Sequence, residues 1–289
     1  MMSFFKGMTV ALFSCALVIS VTGPSFAHPH IINASTKAEI SPQELIQDLQ
    51  KAQVIFIGEF HDHRGHHAAQ LDVISALQNQ DDRLAVGLEM FRRDSQHALD
   101  QWVENQLTES EFLPIYEDNW SMWPNYSAIF EFARDRGTKL IGLNISRDIT
   151  AHVARNGFDS LPEDLRQRLG NVQCIVNPAY SSYIRKALGG HGGHGSKYLF
   201  FCEAQLLWDT MMARHIVDFI NNNPDYRVVV LAGSAHSWKF GIPRQLLEQA
   251  DVSYRVLLPE VFGRVDRLDV NEEIADYLWL DVGEDGWSL

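Results

Sequence analysis

The stretch VIFIGEFHDH, residues 54–63, begins as a short apolar run and ends in ionisable side chains. An apolar run of this length is typical of a strand that is buried on both faces of a parallel sheet. The polar residues that follow it would lie at the carboxyl end of the strand, where ligands bind in open parallel sheets. This stretch therefore predicts both the fold class and the position of a functional site.

Further short apolar runs along the chain predict four more buried strands, at residues 84–88, 139–143, 227–231 and 254–258. Stretches with helical spacing lie between most of these runs, for example at 67–77 and at 126–136, which Gly137 ends. This alternation of strands and helices predicts an α/β fold, with a mostly parallel sheet flanked by helices on both faces.

The interval between the third and fourth predicted strands is too long for a single crossover. It contains helical stretches around 147–155, 161–169 and 178–188, and then a loop rich in glycine and histidine at 189–196. A long helix from about residue 199 to 220 follows. We expect a smaller all-helical insertion at about residues 147–198, with the long helix leading back to the sheet.

The first 27 residues have the pattern of an export signal. A lysine precedes an apolar run at 8–21, and Ser25-Phe26-Ala27 supplies the small residues at a cleavage site. Cleavage there would leave residues 28–289 as the mature domain in the periplasm. Two alternatives are a retained membrane anchor, for which the run is short, and a lipid anchor at Cys15, whose surrounding residues fit poorly. We expect a simply cleaved, exported, periplasmic protein.

The composition excludes some classes of partner. The formal net charge is −13, which argues against the broad basic surface that nucleic acid binding needs. The chain also lacks the G-x-S-x-G motif and the phosphate loop, so a serine hydrolase or a nucleotide enzyme is disfavoured. Beyond the signal, Cys174 and Cys202 remain; they could form a disulfide in an oxidising compartment or stay as buried thiols.

Ionisable residues follow the predicted strands and should meet at one edge of the sheet. The candidates are Glu59, His61, Glu89 and His236. Two imidazoles and one or two carboxylates suit a divalent metal such as zinc, with a position left for water that could be activated for hydrolysis. The same residues could instead hydrogen-bond one another and hold the loops in place. His63 and His67 lie four residues apart and could be further ligands or a solvated helix entry.

Several of these stretches together resemble the ChaN family. They are residues 54–62, 87–91 and 233–243, joined by Asn119-Trp120, Tyr126 and residues 204–213, in an order that spans roughly 49–258. The resemblance implies a parallel sheet with flanking helices and a small helical domain, in an exported protein linked to iron acquisition. It also implies haem bound at a dimer interface, with the iron held by a tyrosine. A histidine and a lysine from the partner subunit would then reach the propionates.

The resemblance directs attention to the helical insertion for the haem ligand. Tyr183 is the preferred candidate and Tyr180 the next, with Lys186, His191 and His194 close by in the sequence. Tyrosine is an accepted axial ligand of haem iron. Either tyrosine could also be an ordinary half-buried residue of an amphipathic helix.

The implied partners are haem, a second copy of the chain and an outer-membrane haem receptor. The same strand-end pattern is similar to the wider erythromycin-esterase and Tiki superfamily, in which glutamates and histidines at these loops serve hydrolysis. A metal-dependent hydrolase that uses Glu59, His61, Glu89 and His236 is therefore the alternative to a haem-binding protein.

Overall fold

The five apolar runs are all strands of one sheet, as predicted. The computed structural model describes residues 30–80, 83–170, 195–261 and 265–283. In these residues the sheet has eight strands: β1 (His30–Asn33), β2 (Glu39–Ile40), β3 (Val54–Glu59), β4 (Leu84–Arg92), β5 (Lys139–Asn144), β6 (Arg227–Gly233), β7 (Tyr254–Pro259) and β8 (Tyr277–Leu280). Their order is β2-β1-β8-β7-β3-β6-β4-β5.

Pairing within the sheet is mostly parallel. The neighbours from β8 through β7, β3, β6 and β4 to β5 all run parallel, whereas β1 pairs antiparallel with both β2 and β8. The predicted α/β fold class is therefore confirmed. The antiparallel edge was not predicted, because β1 and β2 are too short to leave a clear apolar run in the sequence.

Helices cover both faces of the sheet. The described α-helices are α1 (Pro42–Leu49), α2 (Arg64–Gln78), α3 (Gln96–Val103), α4 (Glu109–Asn119), α5 (Trp123–Arg136), α6 (Arg147–Asn156), α7 (Glu163–Leu169), α8 (Ser196–Asn222), α9 (Ser234–Ser237) and α10 (Ile242–Leu247). Gly137 ends α5 in the left-handed conformation, with a φ of 65°. Glycine adopts this conformation without the steric penalty of a side chain, which explains why the helix ends there.

The core consists of two apolar layers, one on each face of the sheet. Val54 and Phe56 of β3 point into the layer that contains α6, α8 and α10, whereas Ile55 and Ile57 point into the layer that contains α1, α2 and α5. Alternate residues of a strand lie on opposite faces, so a strand covered on both sides must be apolar throughout. All six residues of β3 are buried, including Glu59 at its end.

Two helices between β4 and β5 were not predicted from the sequence. α3 and α4 contribute Trp102, Phe112 and Tyr116, which pack with aromatic rings of β4 and α5 in the second layer. Thr108 begins α4 with a capping box that includes Glu111. Here tertiary packing of a few large rings, rather than a regular apolar stripe, stabilises short helices.

The free edge of β5 is covered by a side chain. Gln96, at the start of α3, donates from Nε2 to the carbonyl of Leu140 at 2.8 Å and accepts from the backbone N–H of Gly142 at 2.9 Å. The amide thus makes the two hydrogen bonds that a neighbouring strand would make. Covering an edge in this way removes a site for pairing with another chain.

The predicted insertion contains helices where the structure describes it. α6 packs along α8, and Arg214 of α8 donates to the carbonyls of Arg168 and Leu169 at the end of α7. Cys202 is buried and disulfide-bonded. Cys174, the predicted helix at 178–188 and most of the glycine- and histidine-rich loop lie outside the described residues, so the pairing of Cys174 with Cys202 stays open.

The predicted export signal also lies outside the described residues, which begin at His30. Among the helices that the structure describes, none is both long enough and apolar enough to span a bilayer.

Candidate functional site

Three neighbouring strands bring the predicted residues to one edge of the sheet. β6 lies between β3 and β4, and Glu59 at the end of β3 is in register with Gly233 at the end of β6. Glu89 follows Leu88 of β4, the last β4 residue paired with β6. His61 comes two residues after β3, and His236 lies in α9 directly after β6. The strand-end convergence expected from the sequence is therefore present.

Glu59 is the centre of a buried hydrogen-bond network. Its Oε1 lies 2.7 Å from Nδ1 of His61 and also accepts a hydrogen bond from the hydroxyl of Tyr126. Its Oε2 accepts from Gln70 at 2.8 Å and lies 3.4 Å from Nδ1 of His67. Burial alone would raise the pKa of Glu59, but the hydrogen bonds and charges of His61 and His67 hold it well below its usual range. Glu59 is therefore a fully bonded, ionised carboxylate.

A second carboxylate–imidazole pair lies opposite the first. Oδ1 of Asp209, on α8, lies 2.6 Å from Nδ1 of His236, and both side chains are buried. Trp208 packs edge-on against the same imidazole. Burial raises the pKa of Asp209 to about 6, against the opposing effect of His236. Burial would lower the pKa of His236, but Glu89 and Asp209 raise it to about 9.

Glu89 lies between the two pairs. Its Oε2 accepts the backbone N–H of Gly233 at 2.7 Å, and its Oε1 lies 3.7 Å from Nε2 of His236. A Cβ atom built on Gly233 would be 3.1 Å from Nε2 of His61 and 3.7 Å from Oε2 of Glu89. Burial would lower the pKa of His61, but its hydrogen bond to Glu59 and the charge of Glu89 raise it to about 9. These carboxylates thus favour the protonated form of both imidazoles.

The arrangement gives no support to a divalent metal. Nδ1 of each imidazole is held by a carboxylate, and the oxygens of Glu59 are already bonded to side chains. In the described ranges, no group of three or more His, Cys, Asp and Glu residues is placed to hold a metal ion. The metal-dependent hydrolase is consequently the less favoured alternative.

The other histidines of this region hold the start of α2. Nδ1 of His63 accepts the backbone N–H of His66, and Nδ1 of His66 accepts that of Phe60, while the two rings stack 3.9 Å apart. Burial, and then the charges of His63 and His67, lower the pKa of His66 to about 3. His63 and His66 therefore hold the helix entry, whereas His67 belongs to the Glu59 network.

Two members of the site had no role assigned from the sequence. Asp209 is an acid within the largely apolar middle of α8, and Gln70 is a buried amide of α2. The signal for Asp209 was its position, because an acid on a buried helix face needs a partner. No pattern along the chain shows which histidine that partner is.

A cavity of about 470 Å³ opens above the two pairs. His61, His236 and Gly233 form its floor, and apolar side chains form most of its walls. The described residues that line it are Glu59, Phe60, His61, Asp62, Met122, Gly233, Ser234, Ala235, His236, Trp238, Leu258, Val265, Asp266, Asp269, Val270 and Ile274.

The residues predicted to hold haem lie elsewhere in the chain. Tyr180, Tyr183, Lys186, His191 and His194 all fall outside the described residues. Their roles stay predictions.

The fold and this edge define an α/β protein in which a mostly parallel sheet carries two buried carboxylate–imidazole pairs at its strand ends. Residues 45–246 match the model of one family, described as haem-binding uptake, Tiki superfamily, ChaN. The chain belongs to this family.

Individual relatives are similar at low identity. ChaN of Campylobacter jejuni, solved with cofacial haem binding, is 22% identical with a TM-score of 0.69, and the match covers 88% of this chain and 96% of that chain. An erythromycin esterase mutant in its open conformation is 13% identical with a TM-score of 0.49, over 89% of this chain and 98% of that one. The match to ChaN of Campylobacter jejuni shows a shared fold.

A curated plant protein is also similar. Protein RETICULATA-RELATED 5, chloroplastic, of Arabidopsis thaliana is 23% identical over an alignment of 254 residues, which covers 81% of this chain and 34% of that protein. This chain thus spans about a third of the length of that relative.

Proposed function

We propose that this protein binds haem and stores it or passes it on during iron uptake. The observation that carries the proposal is the match of residues 45–246 to a family described as haem-binding. The fold shared with ChaN of Campylobacter jejuni, which binds haem cofacially, supports it. In this proposal haem is a cargo of the protein, and its iron is held by a tyrosine of the chain.

Three of the tyrosines that the structure describes are committed to internal hydrogen bonds. Tyr116 donates to the carbonyl of Ser121, Tyr126 to Glu59, and Tyr277 to Asp48. Burial raises the pKa of all three phenols far above the usual value. An axial tyrosinate must lose its proton, so these side chains do not fit the role.

The other described tyrosines fit no better. Tyr254 packs against Phe56, and burial raises its pKa. Tyr226 packs on Phe219 at the start of β6, at the opposite end of the sheet from the candidate site. The hydroxyl of Tyr198 is buried. The chain has eight tyrosines, and this elimination supports Tyr183 or Tyr180 as the iron ligand.

The cavity at the strand ends does not fit haem. Asp62, Asp266 and Asp269 line it, and they would repel the propionates. The beginning of α8 fits better, because Leu199 is 42% exposed there and Lys197, on the same turn, has no ion-pair partner among the described residues. An apolar surface and a free cation are what a porphyrin and its propionates need.

The setting of this activity is part of the proposal. The signal pattern at residues 1–27 supports export to the periplasm. By analogy with the family, two copies of the chain would enclose haem at a dimer interface, with Lys186, His191 or His194 near the propionates. An outer-membrane haem receptor would be the partner that exchanges the cargo.

A haem titration of residues 28–289, followed by absorbance, tests the proposal. We expect saturable uptake with a spectrum typical of tyrosinate ligation, and a dimer by light scattering when haem is bound. Tyr183→Phe, or failing that Tyr180→Phe, should abolish this spectrum, whereas Tyr226→Phe should leave it unchanged. Haem uptake that survives the double Tyr180→Phe, Tyr183→Phe change would refute the ligand assignment, and no uptake at all would refute the function.

A further inference from the structure

The cavity above the two carboxylate–imidazole pairs has no part in the proposed haem site. Its walls are apolar, formed by Phe60, Met122, Leu258, Val270 and Ile274. At about 470 Å³ it has the size of a small-molecule pocket. A pocket with apolar walls and a few convergent polar groups is the usual form of a ligand site.

The floor of this cavity presents hydrogen-bond donors without partners. Nδ1 of His61 and Nδ1 of His236 are bound by carboxylates, but among the described residues neither Nε2 atom has a hydrogen-bond partner. His236 lines the cavity and is only 7% exposed, and its Nε2 lies 3.7 Å from Oε1 of Glu89. Gly233 keeps the floor open, because a Cβ there would be 3.1 Å from Nε2 of His61. The site is thus built to receive an acceptor atom.

The described side chains that line the cavity carry more negative than positive charge. Each imidazole is matched by its own carboxylate, Glu59 for His61 and Asp209 for His236. Three aspartates that line the cavity, Asp62, Asp266 and Asp269, are then additional.

The described residues around the cavity offer these aspartates few basic partners. No lysine or arginine is among the described residues that line the cavity, and none of the three aspartates has an ion-pair partner in the described ranges. Arg267, which lines the adjoining cleft, is hydrogen-bonded to Glu260 at 2.8 Å and also interacts electrostatically with Asp266. The cavity therefore attracts cations and repels anions.

We propose that this cavity is a second ligand site, which binds a small organic cation with an apolar body. The cationic group lies at the rim beside Asp266 and Asp269, and the apolar body packs against Met122, Leu258 and Ile274. An acceptor atom of the ligand, or a water molecule that it traps, meets the Nε2–H groups of the floor. This site is separate from the haem site, and its occupation does not depend on haem.

Three probes with one hexyl chain and different head groups test the charge preference. Hexylamine is protonated near neutral pH, hexanol is neutral and hexanoate is an anion. In NMR titrations of the haem-free protein at low ionic strength, we expect hexylamine to bind about tenfold more tightly than hexanoate, with hexanol between them. Added salt should weaken hexylamine binding and leave hexanol binding nearly unchanged.

Two variants locate the binding. Ala235→Phe places a ring in the cavity and should abolish binding of both hexylamine and hexanol, while haem uptake persists. The double change Asp266→Asn, Asp269→Asn should weaken hexylamine binding about fivefold and leave hexanol unaffected, because each exposed charge is worth little alone. Asp251→Asn, an exposed aspartate before β7 at the opposite end of the sheet, is the matched control and should change neither.

Three results would overturn the proposal. They are binding that survives Ala235→Phe in a protein that remains folded by thermal melting, hexanoate binding as tightly as hexylamine, and the absence of binding by all three probes. Because haem uptake is measured on the same samples, failure of this site is distinguishable from failure of the haem function.

Discussion

Oδ1 of Asp209 lies 2.6 Å from Nδ1 of His236, although the two residues are 27 positions apart and belong to different helices. The pair repeats the arrangement of Glu59 and His61, which are only two positions apart. In both pairs a buried carboxylate holds Nδ1, so the ring nitrogen that remains, Nε2, is turned toward Glu89 and the cavity. At this edge of the sheet, each of the two imidazoles is therefore held at Nδ1 by a buried carboxylate.

Asp209→Asn should destabilise the fold. The change leaves His236 without its charged partner, and breaking a buried charged hydrogen bond costs about 2–4 kcal/mol of the free energy of unfolding. It should also lower the pKa of His236, since Asp209 helps to raise it. Chemical denaturation and an NMR titration measure the two effects. Asp225→Asn, at an exposed aspartate, is the control, and equal stability of the two variants would contradict the prediction.

Stability should fall between about pH 6.5 and pH 9. The pKa values of His61 and His236 are raised to about 9 in the folded protein, so it binds more protons than the unfolded chain in this window. Their contribution is complete below the unfolded value and disappears as the pH rises through the folded value.

The size of this effect should be modest. His61 is about a third exposed, so solvent screening reduces its share, and we expect a total loss of about 1–3 kcal/mol. Urea denaturation at a series of pH values measures it. In Asp209→Asn the decline should be shallower, and an unchanged slope in that variant would contradict the assignment.

Tyr126→Phe should lower stability by about 1–2 kcal/mol. The buried hydroxyl donates to Glu59, and its loss leaves the ionised carboxylate with one bond fewer. Thermal and chemical unfolding measure the change. Tyr226→Phe makes the same chemical change at a ring with no hydrogen bond from its hydroxyl among the described residues, and it should stay within about 0.5 kcal/mol of the native protein.

Gly233→Ala should disturb the site through crowding alone. The new methyl group would be 3.1 Å from Nε2 of His61, so the ring or the strand must move, which costs about 1–3 kcal/mol. The NMR signals of His61 should shift in the folded variant. Gly283→Ala adds the same methyl group where nothing lies within 4 Å, and a similar loss there would show that the effect is not local.

Gln96→Ala should expose the edge of β5. The Gly142 amide loses its acceptor, and we expect faster hydrogen exchange at that amide and about 1–2 kcal/mol lower stability. Gln106→Ala removes an exposed amide of similar size and is the matched control. Protection of Gly142 that does not change would contradict the role of Gln96 as an edge cover.

Much of the fold was predictable because it depends on local pattern. The five predicted strands, β3 to β7, are continuous apolar runs, and α5 ends at Gly137 as its sequence indicated. The short edge strands β1 and β2 and the helices α3 and α4 were not predictable in the same way. β1 and β2 form by pairing with each other and with β8, and α3 and α4 are held by the packing of Trp102 and Phe112 in the core.

The stretch at residues 54–63 by itself determined that a buried strand places Glu59 and His61 at the carboxyl edge of a parallel sheet. It could do so because the length of an apolar run and the order of its residues are local properties. Only the tertiary structure decided that β6 lies between β3 and β4, and that Asp209 is the partner of His236. Strand order and side-chain pairing depend on contacts between residues far apart in the chain, which no local period encodes.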